Sequence, residues 1–124
     1  MTRDGFEQLL KTLTDGWASR DYKRVIACFD DAVFYADPLN YRFFGREGLL
    51  SFFENDDGLE QLCNFHNSVF DEERQLGAAE YTYEGSFRYH GTAWINIEGE
   101  KIVKWREYQH RSERSWNAFW NRDN

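Results

Sequence analysis

The chain has 124 residues, of which 41% are hydrophobic, 19% aromatic and 30% charged, and its formal net charge is −7. This length and composition predict one folded domain, spanning residues 1–124, with a core of bulky rings, and they exclude a disordered chain. Acidic residues outnumber basic ones and no basic cluster is present, so no binding to nucleic acid is expected. Residues 1–25 contain no unbroken apolar run, so we expect no signal peptide, no membrane span and a cytosolic location.

The N-terminal part of the sequence has the spacing of amphipathic helices. The first apolar stripe consists of Phe6, Leu9, Leu10, Leu13 and Trp17. Asp4 is the expected N-cap of this helix, in capping-box fashion with Glu7, and Gly16 weakens its end. Asp21 is predicted to open a second, short helix, whose inner face consists of Tyr22, Val25, Ile26 and Phe29.

A strand and a third helix follow. Residues 32–36 predict a brief strand that stops at Pro38, because proline lacks the N–H needed for pairing. The segment from there to Gly45 is expected to be an open loop. A helix starting near Arg46 is predicted to end in the turn at residues 55–58, and its buried residues are Leu49, Leu50 and Phe53.

Beyond Gly58 the hydrophobic period changes from helical spacing to strict alternation, which indicates antiparallel strands after a helical layer. The predicted strands span residues 63–72, 77–87, 90–97 and 101–110. The tail carries Trp116, Phe119 and Trp120 at helical spacing, which favours a short covering helix over a partner-binding peptide. The predicted fold class is therefore α+β, with three N-terminal helices followed by a curved sheet.

Alternate residues of a strand share a face, so their parity predicts which side chains converge. In the predicted strand over residues 77–87, Tyr81 and Tyr83 point inward. In the last strand the parity that contains Ile102 also carries three basic residues. The other parity, with Trp105 and Glu107, is therefore predicted to face the core.

Two carboxylates are candidates for chemistry. Glu107 on an apolar face is either a structural residue, paired with Arg or hydrogen-bonded to a buried Tyr, or a pocket acid or base with a raised pKa. Asp37 is either a turn former before Pro38 or, if it shares the inner parity with Tyr35, a second carboxylate of the same cavity. The sequence leaves both choices open.

The remaining polar side chains carry weaker signals. Cys28 and Cys63 have neither metal-site nor redox spacing and are expected to be free thiols. His66 lies on a strand whose two faces the sequence does not distinguish, while His90 lies at a turn and His110 on the outer parity. Neither metal-ligand spacing nor a phosphate-binding glycine loop is present, so no metal and no cofactor are expected.

The order of these elements, together with two motifs, resembles a known family. The motifs are Phe29-Asp30-Asp31-Ala32-Val33 followed by Asp37-Pro38, and Gly99-Glu100-Lys101-Ile102-Val103-Lys104-Trp105-Arg106-Glu107-Tyr108. Over nearly the whole chain the pattern is similar to the SnoaL-like branch of the nuclear transport factor 2-like superfamily. The resemblance implies a cone, with three helices packed in the concave face of a mostly antiparallel sheet around an apolar pocket. Members of the superfamily include ketosteroid isomerases, limonene-epoxide hydrolases, polyketide cyclases and binding domains without chemistry.

Compared with the ketosteroid isomerases, the resemblance assigns Asp37 to the position of their proton-shuttling aspartate. Their oxyanion-hole tyrosine falls on Leu13, and their protonated aspartate falls at or beside Ala93. An enolate would therefore lack its stabilising donors, which disfavours steroid isomerisation.

Compared with the limonene-epoxide hydrolases, Glu107 matches the aspartate of their Trp-Arg-Asp-Tyr stretch, and Tyr35 matches a tyrosine that holds water. Asp37 stands where they have an asparagine. Their buried arginine and second aspartate fall on Tyr81 and Tyr83, which breaks the acid–base relay of those enzymes.

Two classes of function remain. The first is an enzyme that acts without a cofactor on a small, mostly apolar organic molecule by hydrolysis, isomerisation or cyclisation, with Asp37 and Glu107 as catalytic acid and base. Its expected substrate-binding residues are Tyr35, Tyr81, Tyr83, Trp105 and Trp17. The second is a non-catalytic ligand-binding or dimerisation module of the same fold. Because the superfamily commonly pairs through the outer sheet face, we expect a homodimer through Trp94, Tyr108 and Ile102.

Overall fold

The computed structural model describes residues 1–121 and shows a mixed α+β fold. Its helices are α1 (Arg3–Ser19), α2 (Tyr22–Ile26), α3 (Arg46–Glu54) and α4 (Trp116–Trp120). Its strands are β1 (Phe29–Asp37), β2 (Tyr41–Phe44), β3 (Leu62–Asp71), β4 (Leu76–Glu84), β5 (Arg88–Glu98) and β6 (Lys101–Arg111). They form one curved, open sheet in the order β2-β1-β6-β5-β4-β3, in which only the β1–β6 pair is parallel. No helix within residues 1–121 is long and apolar enough to cross a membrane.

The apolar stripe of α1 is buried against one face of the sheet, which we call the inner face. Phe6 stacks on Phe70 of β3 with 4.7 Å between ring centroids. Gly77 of β4 makes room for this contact, since a Cβ there would lie 2.3 Å from the Phe6 ring. The N-cap of α1 is Thr2, whose hydroxyl accepts a backbone N–H of the first turn at 3.0 Å. The predicted cap at Asp4 is therefore wrong by two positions.

A hairpin replaces the short strand and open loop that were predicted before α3. β1 begins at Phe29, which was expected at the end of α2, and β2 pairs with β1 in the segment expected to be a loop. The half-buried ring of Phe34 and the exposed ring of Phe44 stack across this pair, with 4.8 Å between ring centroids. β2 has only four residues and follows Pro38 directly after a turn, so its alternation is too short to be recognised in the sequence.

A bulge in β6 corrects the predicted position of Ile102. The pairing with β5 runs from Ile97↔Ile102 to Asn96↔Lys104, so one extra residue lies between the two pairs. Ile102 is fully buried in the core rather than on the outer face. Beyond the bulge the predicted parity holds.

The outer face of the sheet carries the C-terminal helix. In α4, Trp116 stacks on His66 of β3 with 3.8 Å between ring centroids, and Phe119 contacts His90 of β5 edge-on at 5.4 Å. His66 Nε2 also forms a hydrogen bond of 2.8 Å with Thr82 Oγ1. His66 thus faces α4 rather than the inner face. Residues 1–121 contain four helices, and the last of them, α4, is the short helix that the spacing of Trp116, Phe119 and Trp120 predicted.

Candidate active site

A cavity of about 390 Å³ lies between the N-terminal helices and the inner face of the sheet. Nineteen residues line it, and twelve of these are aromatic: Trp17, Tyr22, Tyr35, Tyr41, Phe52, Phe53, Phe65, Tyr81, Tyr83, Phe87, Tyr89 and Trp105. The others are Asn55, Asp56, Gln61, Cys63, Ser86, Glu107 and Gln109. Every site residue expected from the sequence is in this set except Asp37.

Glu107 is the buried carboxylate of the cavity, with 5% of its surface exposed. Its Oε1 accepts hydrogen bonds from the Tyr35 hydroxyl and from Trp105 Nε1, both at 2.8 Å. Its Oε2 accepts a hydrogen bond from the Tyr41 hydroxyl. None of the Lys, Arg or His residues in the described part of the chain forms an ion pair with it. Glu107 is therefore stabilised by neutral donors alone.

The environment of Glu107 pulls its pKa in two directions. Burial raises the pKa above its ordinary value, because the charged form loses its hydration. The hydrogen bonds from Tyr41, Trp105 and Tyr35 oppose this rise, and the negative charge of Asp37 adds to it. The net direction is upward, as expected for a pocket acid or base, while the hydrogen bond from buried Tyr35 is the contact expected of a structural residue.

A chain of hydrogen bonds leads away from Glu107 along the inner face. Gln109 Nε2 donates to the Tyr41 oxygen at 3.3 Å, and the Tyr81 hydroxyl donates to Gln109 Oε1 at 2.7 Å. Gly91 of β5 lies between Tyr81 and Gln109 in the sheet register, and a Cβ at this position would lie 2.6 Å from the Tyr81 hydroxyl. The missing side chain is what lets the tyrosine reach across a strand.

Four phenols of the cavity, those of Tyr35, Tyr41, Tyr81 and Tyr83, remain protonated at neutral pH. Burial raises the pKa of Tyr35, Tyr41, Tyr81 and Tyr83, and the charge of Glu107 raises each of them further. Burial likewise raises the pKa of the Cys63 thiol. These groups are therefore neutral hydroxyls and a neutral thiol, and not nucleophilic anions.

Asp37 lies next to this network, but its hydrogen bonds stabilise the turn between β1 and β2. It is 3% exposed, and its Oδ1 accepts the backbone N–H groups of Leu39 at 2.8 Å and Asn40 at 3.1 Å. In the parallel β1–β6 pair it follows one position after Ala36↔Arg106, which brings it beside the position of Glu107. The turn-forming alternative describes its contacts, while its charge still acts on Glu107.

A second buried carboxylate, Asp56, lines the same cavity. It accepts two hydrogen bonds from the Arg20 guanidinium, at 2.8 and 2.9 Å, one from the Tyr22 hydroxyl, and one from the Gly58 N–H at 2.9 Å. These donors lower the pKa of Asp56 to about 2, with the Tyr22 bond as the largest cause. The pKa of Tyr22 rises to about 12, chiefly through burial.

Thirteen of the nineteen lining residues were not selected from the sequence, and Tyr41, Asp56 and Gln109 are among them. Tyr41 lies in the segment expected to be a loop, and Asp56 in a turn whose acidic residues look like an ordinary helix end. Gln109 was on the predicted inner parity, two positions beyond Glu107, and that spacing is the signal that could have identified it. Among residues 1–121, no group of three or more His, Cys, Asp or Glu side chains could hold a metal ion, and Cys28 and Cys63 are free.

The comparisons with known proteins identify the fold. No family model matches the chain, and no curated protein sequence matches it significantly. Among solved structures, an LEH-like epoxide hydrolase from M. tuberculosis is 15% identical with a TM-score of 0.72, over 83% of this chain and 80% of that chain. A cystatin-like-fold protein of unknown function from Methylobium petroleophilum is 19% identical with a TM-score of 0.80, over 94% and 82%.

A candidate SnoaL-like polyketide cyclase from Shewanella putrefaciens is 14% identical with a TM-score of 0.70, over 88% of this chain and 91% of that chain. Identities this low show the fold alone. The chain has the nuclear transport factor 2-like fold, as its resemblance to that superfamily predicted.

Proposed function

We propose that the chain is an enzyme that binds a small, mostly apolar organic molecule in the aromatic cavity and acts on it by acid–base chemistry. The reaction is of hydrolase, isomerase or cyclase type. The observation that carries this proposal is Glu107, a buried carboxylate on the cavity wall without an ion-pair partner among residues 1–121. A charge buried only for architecture is normally matched by a countercharge, whereas a proton-transfer group needs a pKa moved toward neutrality.

Glu107 is the proposed proton-transfer group. Tyr35 and Trp105 hold its Oε1 and Tyr41 holds its Oε2, so the carboxylate is fixed in orientation before a substrate binds. In its ionised form it takes a proton from a C–H acid or from a water molecule that attacks the substrate. In its protonated form it returns that proton to the product. The raised pKa brings the two forms closer in free energy at neutral pH.

Asp37 has an indirect part in this proposal. Its Oδ1 is occupied by the turn to β2, and it does not line the cavity. Its charge contributes to the raised pKa of Glu107. We therefore assign it as a positioning residue that acts through Glu107, while Tyr81, Tyr83 and Trp17 shape the binding space.

The reaction type is narrowed by what occupies the oxyanion-stabilising positions of the ketosteroid isomerases. Leu13 and Ala93 are fully buried, and neither side chain has a donor. This argues against reactions that pass through a strongly charged enolate. The likeness in fold to an epoxide hydrolase makes epoxides the first substrates to test.

The test is turnover by the wild-type protein and two variants. Hydrophobic epoxides are assayed for diol formation, and enolisable ketones for deuterium incorporation in D2O. Glu107→Gln keeps the shape of the side chain but cannot transfer the proton, so we expect rates to fall by about 100-fold or more. Glu98→Gln makes the same charge change at an exposed position and should leave the rate unchanged. Equal rates in the Glu107→Gln and wild-type proteins would reject Glu107 as the catalytic group.

A non-catalytic binding module is the second candidate function. It is favoured by one observation, that both oxygens of Glu107 already have donors in the absence of a ligand. If neither compound class is turned over but small ligands still bind in the cavity, this second function is the better description.

The homodimer and the cytosolic location expected from the sequence remain part of the proposal. On the outer sheet face Trp94 is 42% exposed and Tyr108 is 51% exposed, which supports pairing through that face without Ile102. Sedimentation equilibrium at micromolar concentration measures the mass. A value near the 14.9 kDa of one chain throughout would rule the homodimer out.

A further inference from the structure

The hydrogen-bond donors around Glu107 are already used within the protein. Tyr35, Tyr41 and Trp105 donate to Glu107, and Tyr81 donates to Gln109. Gln109 in turn donates to Tyr41. A ligand that reaches this part of the cavity therefore meets phenolic oxygens and a carboxylate, which are acceptors. Of the donor hydrogens on these five side chains, only the second N–H of Gln109 has no acceptor in the described hydrogen bonds, so an anion or an oxyanion finds little to bind it here.

The wall of the cavity contains negative charge without matching positive charge. Among residues 1–121, the nineteen that line it include Asp56 and Glu107 but no Lys, Arg or His. Arg20 balances Asp56 from outside the lining, with about half of its side chain exposed to solvent. Nothing comparable balances Glu107. A buried carboxylate in this situation is stabilised by any cation that enters.

The aromatic lining also suits a cation. Twelve rings surround a space of about 390 Å³, and they come from every strand, from α1, α2 and α3, and in the case of Phe87 from the turn between β4 and β5. The π face of a ring is negative and attracts organic cations, most strongly where water is excluded. The same rings pack against alkyl groups. An apolar molecule that carries one positive charge can therefore contact both the aromatic rings and the carboxylate of Glu107.

We propose that the ligand of this cavity is an organic cation, a mostly apolar molecule with one ammonium group that lies beside Glu107. The inference rests on the proposed binding site, but it does not require the proposed reaction. It predicts that binding and the ionisation of Glu107 are coupled, since a cation is attracted only to the ionised form.

The groups that could share this titration are few. Those that act on Glu107 or respond to its charge are Asp37 and Tyr35 of β1, Tyr41 of β2, Cys63 of β3, and Tyr81 and Tyr83 of β4. The phenols and the thiol stay neutral near pH 7 because burial raises their pKa values. Binding of a cation should therefore release protons from Glu107, and its affinity should rise with pH.

The experiment compares two molecules of the same shape by titration calorimetry. One is (3-hydroxyphenyl)trimethylammonium and the other is its neutral analogue 3-tert-butylphenol, which has carbon in place of the charged nitrogen. At pH 7, where the phenol groups of both molecules are mostly protonated, we expect the cation to bind wild-type protein at least about tenfold more tightly than the neutral analogue. Repeating the titration in buffers of different ionisation enthalpy from pH 4 to pH 7 should show proton release with the cation only, in the pH range where Glu107 ionises.

Two variants localise the effect. Glu107→Gln should weaken binding of the cation by about tenfold or more and change binding of the neutral analogue by less than about threefold. Glu98→Gln, with the same change in net charge, should alter neither. If the neutral analogue binds as tightly as the cation, or if no cation binding is found up to about 10 mM, the inference is overturned. Retained cation preference in Glu107→Gln would also overturn it.

The outcomes separate this inference from the proposed function. Preference for the cation without turnover of any tested compound supports the ligand class and rejects the reaction. Turnover of neutral epoxides or ketones without preference for the cation supports the proposed reaction and rejects the proposed ligand class.

Discussion

Asp56 and Glu107 line the same cavity, but Asp56 has an arginine partner and Glu107 has none. Both carboxylates are buried and both accept hydrogen bonds from tyrosine. The pKa of Asp56 is lowered to about 2, whereas the pKa of Glu107 is raised. For Glu107 the effect of burial on the pKa exceeds the opposing effect of its hydrogen bonds, whereas for Asp56 the hydrogen bonds from Tyr22 and Arg20 exceed the effect of burial. Hydrogen bonds from neutral donors compensate part of the lost hydration of a carboxylate, and a guanidinium adds the attraction of its charge.

The part of the cavity around Asp56 supports the fold, and the part around Glu107 is suited to chemistry. Arg20 ends α1 in a left-handed conformation with φ 58°, and its side chain then pairs with Asp56 at the end of α3. The pair ties the two helices together beside the cavity. Around Glu107 no described residue supplies a positive charge, which leaves that role to a ligand or a transferred proton.

Removing the charge of Asp56 should have the largest effect on stability. Asp56→Asn removes the charge that pairs with Arg20. It also replaces one acceptor oxygen by an amide nitrogen, which cannot accept a hydrogen bond from Tyr22 or Arg20. We expect the melting temperature at pH 7 to fall by about 5 °C or more. The matched control is Glu54→Gln, an exposed residue of α3, which should shift it by less than about 1 °C. Equal melting temperatures for Asp56→Asn and wild type would contradict a structural role for the pair.

Removing the charge of Glu107 should have a smaller effect of opposite sign. In Glu107→Gln the amide oxygen still accepts from Tyr35 and Trp105, and the amide nitrogen can donate to Tyr41. Because the charged form is disfavoured by burial, we expect the melting temperature at pH 7 to rise by about 3 °C or stay unchanged. A fall as large as that of Asp56→Asn would show that Glu107 balances a buried cation.

The pH dependence should sharpen the same contrast. The folded-state pKa of Asp56 is lowered, so its stabilisation is present above its ordinary value of 3.8 and disappears as the pH falls toward 2. The folded-state pKa of Glu107 is raised, so wild type equals Glu107→Gln below pH 4.5 and becomes less stable than the variant as the pH rises. Unfolding curves of the wild type and both variants from pH 2 to 8 measure the difference in stability between wild type and each variant. Differences in stability that do not change with pH would contradict both the lowered pKa of Asp56 and the raised pKa of Glu107.

The smallest expected effect concerns Asp37. Asp37→Asn keeps an oxygen that can accept the N–H groups of Leu39 and Asn40, so the melting temperature should change by no more than about 1 °C. The loss of its charge should lower the pKa of Glu107, because one cause of the upward shift is removed. Carbon NMR of the Glu107 carboxyl group against pH, in wild type and variant, measures this. An unchanged midpoint would remove Asp37 from the proposed site.

The parts of the fold that follow a regular period were predictable from the sequence. The α1 stripe from Phe6 to Trp17 and the alternation in β4 and β6 placed most inner-face residues correctly. Ile102 was misplaced because a bulge changes parity, and no residue type marks a bulge in β6. β2 was missed because four residues are too few to show alternation.

The site was predictable only where one strand determines it. Glu107 and Trp105 share a parity within β6, so local sequence was sufficient to place them together. The Tyr41 contact with Glu107 depends on a hairpin, and the Asp56 pair depends on how α1 and α3 meet. Contacts between residues far apart in sequence are set by tertiary packing, which periodicity does not describe.

Tyr41 reaches Glu107 from a four-residue strand at the edge of the sheet, held by pairing on one side only. Short edge elements open by local unfolding at lower free energy than the central strands. When β2 frays, Glu107 keeps the donors from Tyr35 and Trp105 but loses the third, and the carboxylate gains a path to solvent. We therefore expect the hydrogen bond from Tyr41 to be the most readily broken of the three to Glu107, and the backbone amides of β2 to exchange with solvent faster than those of β5.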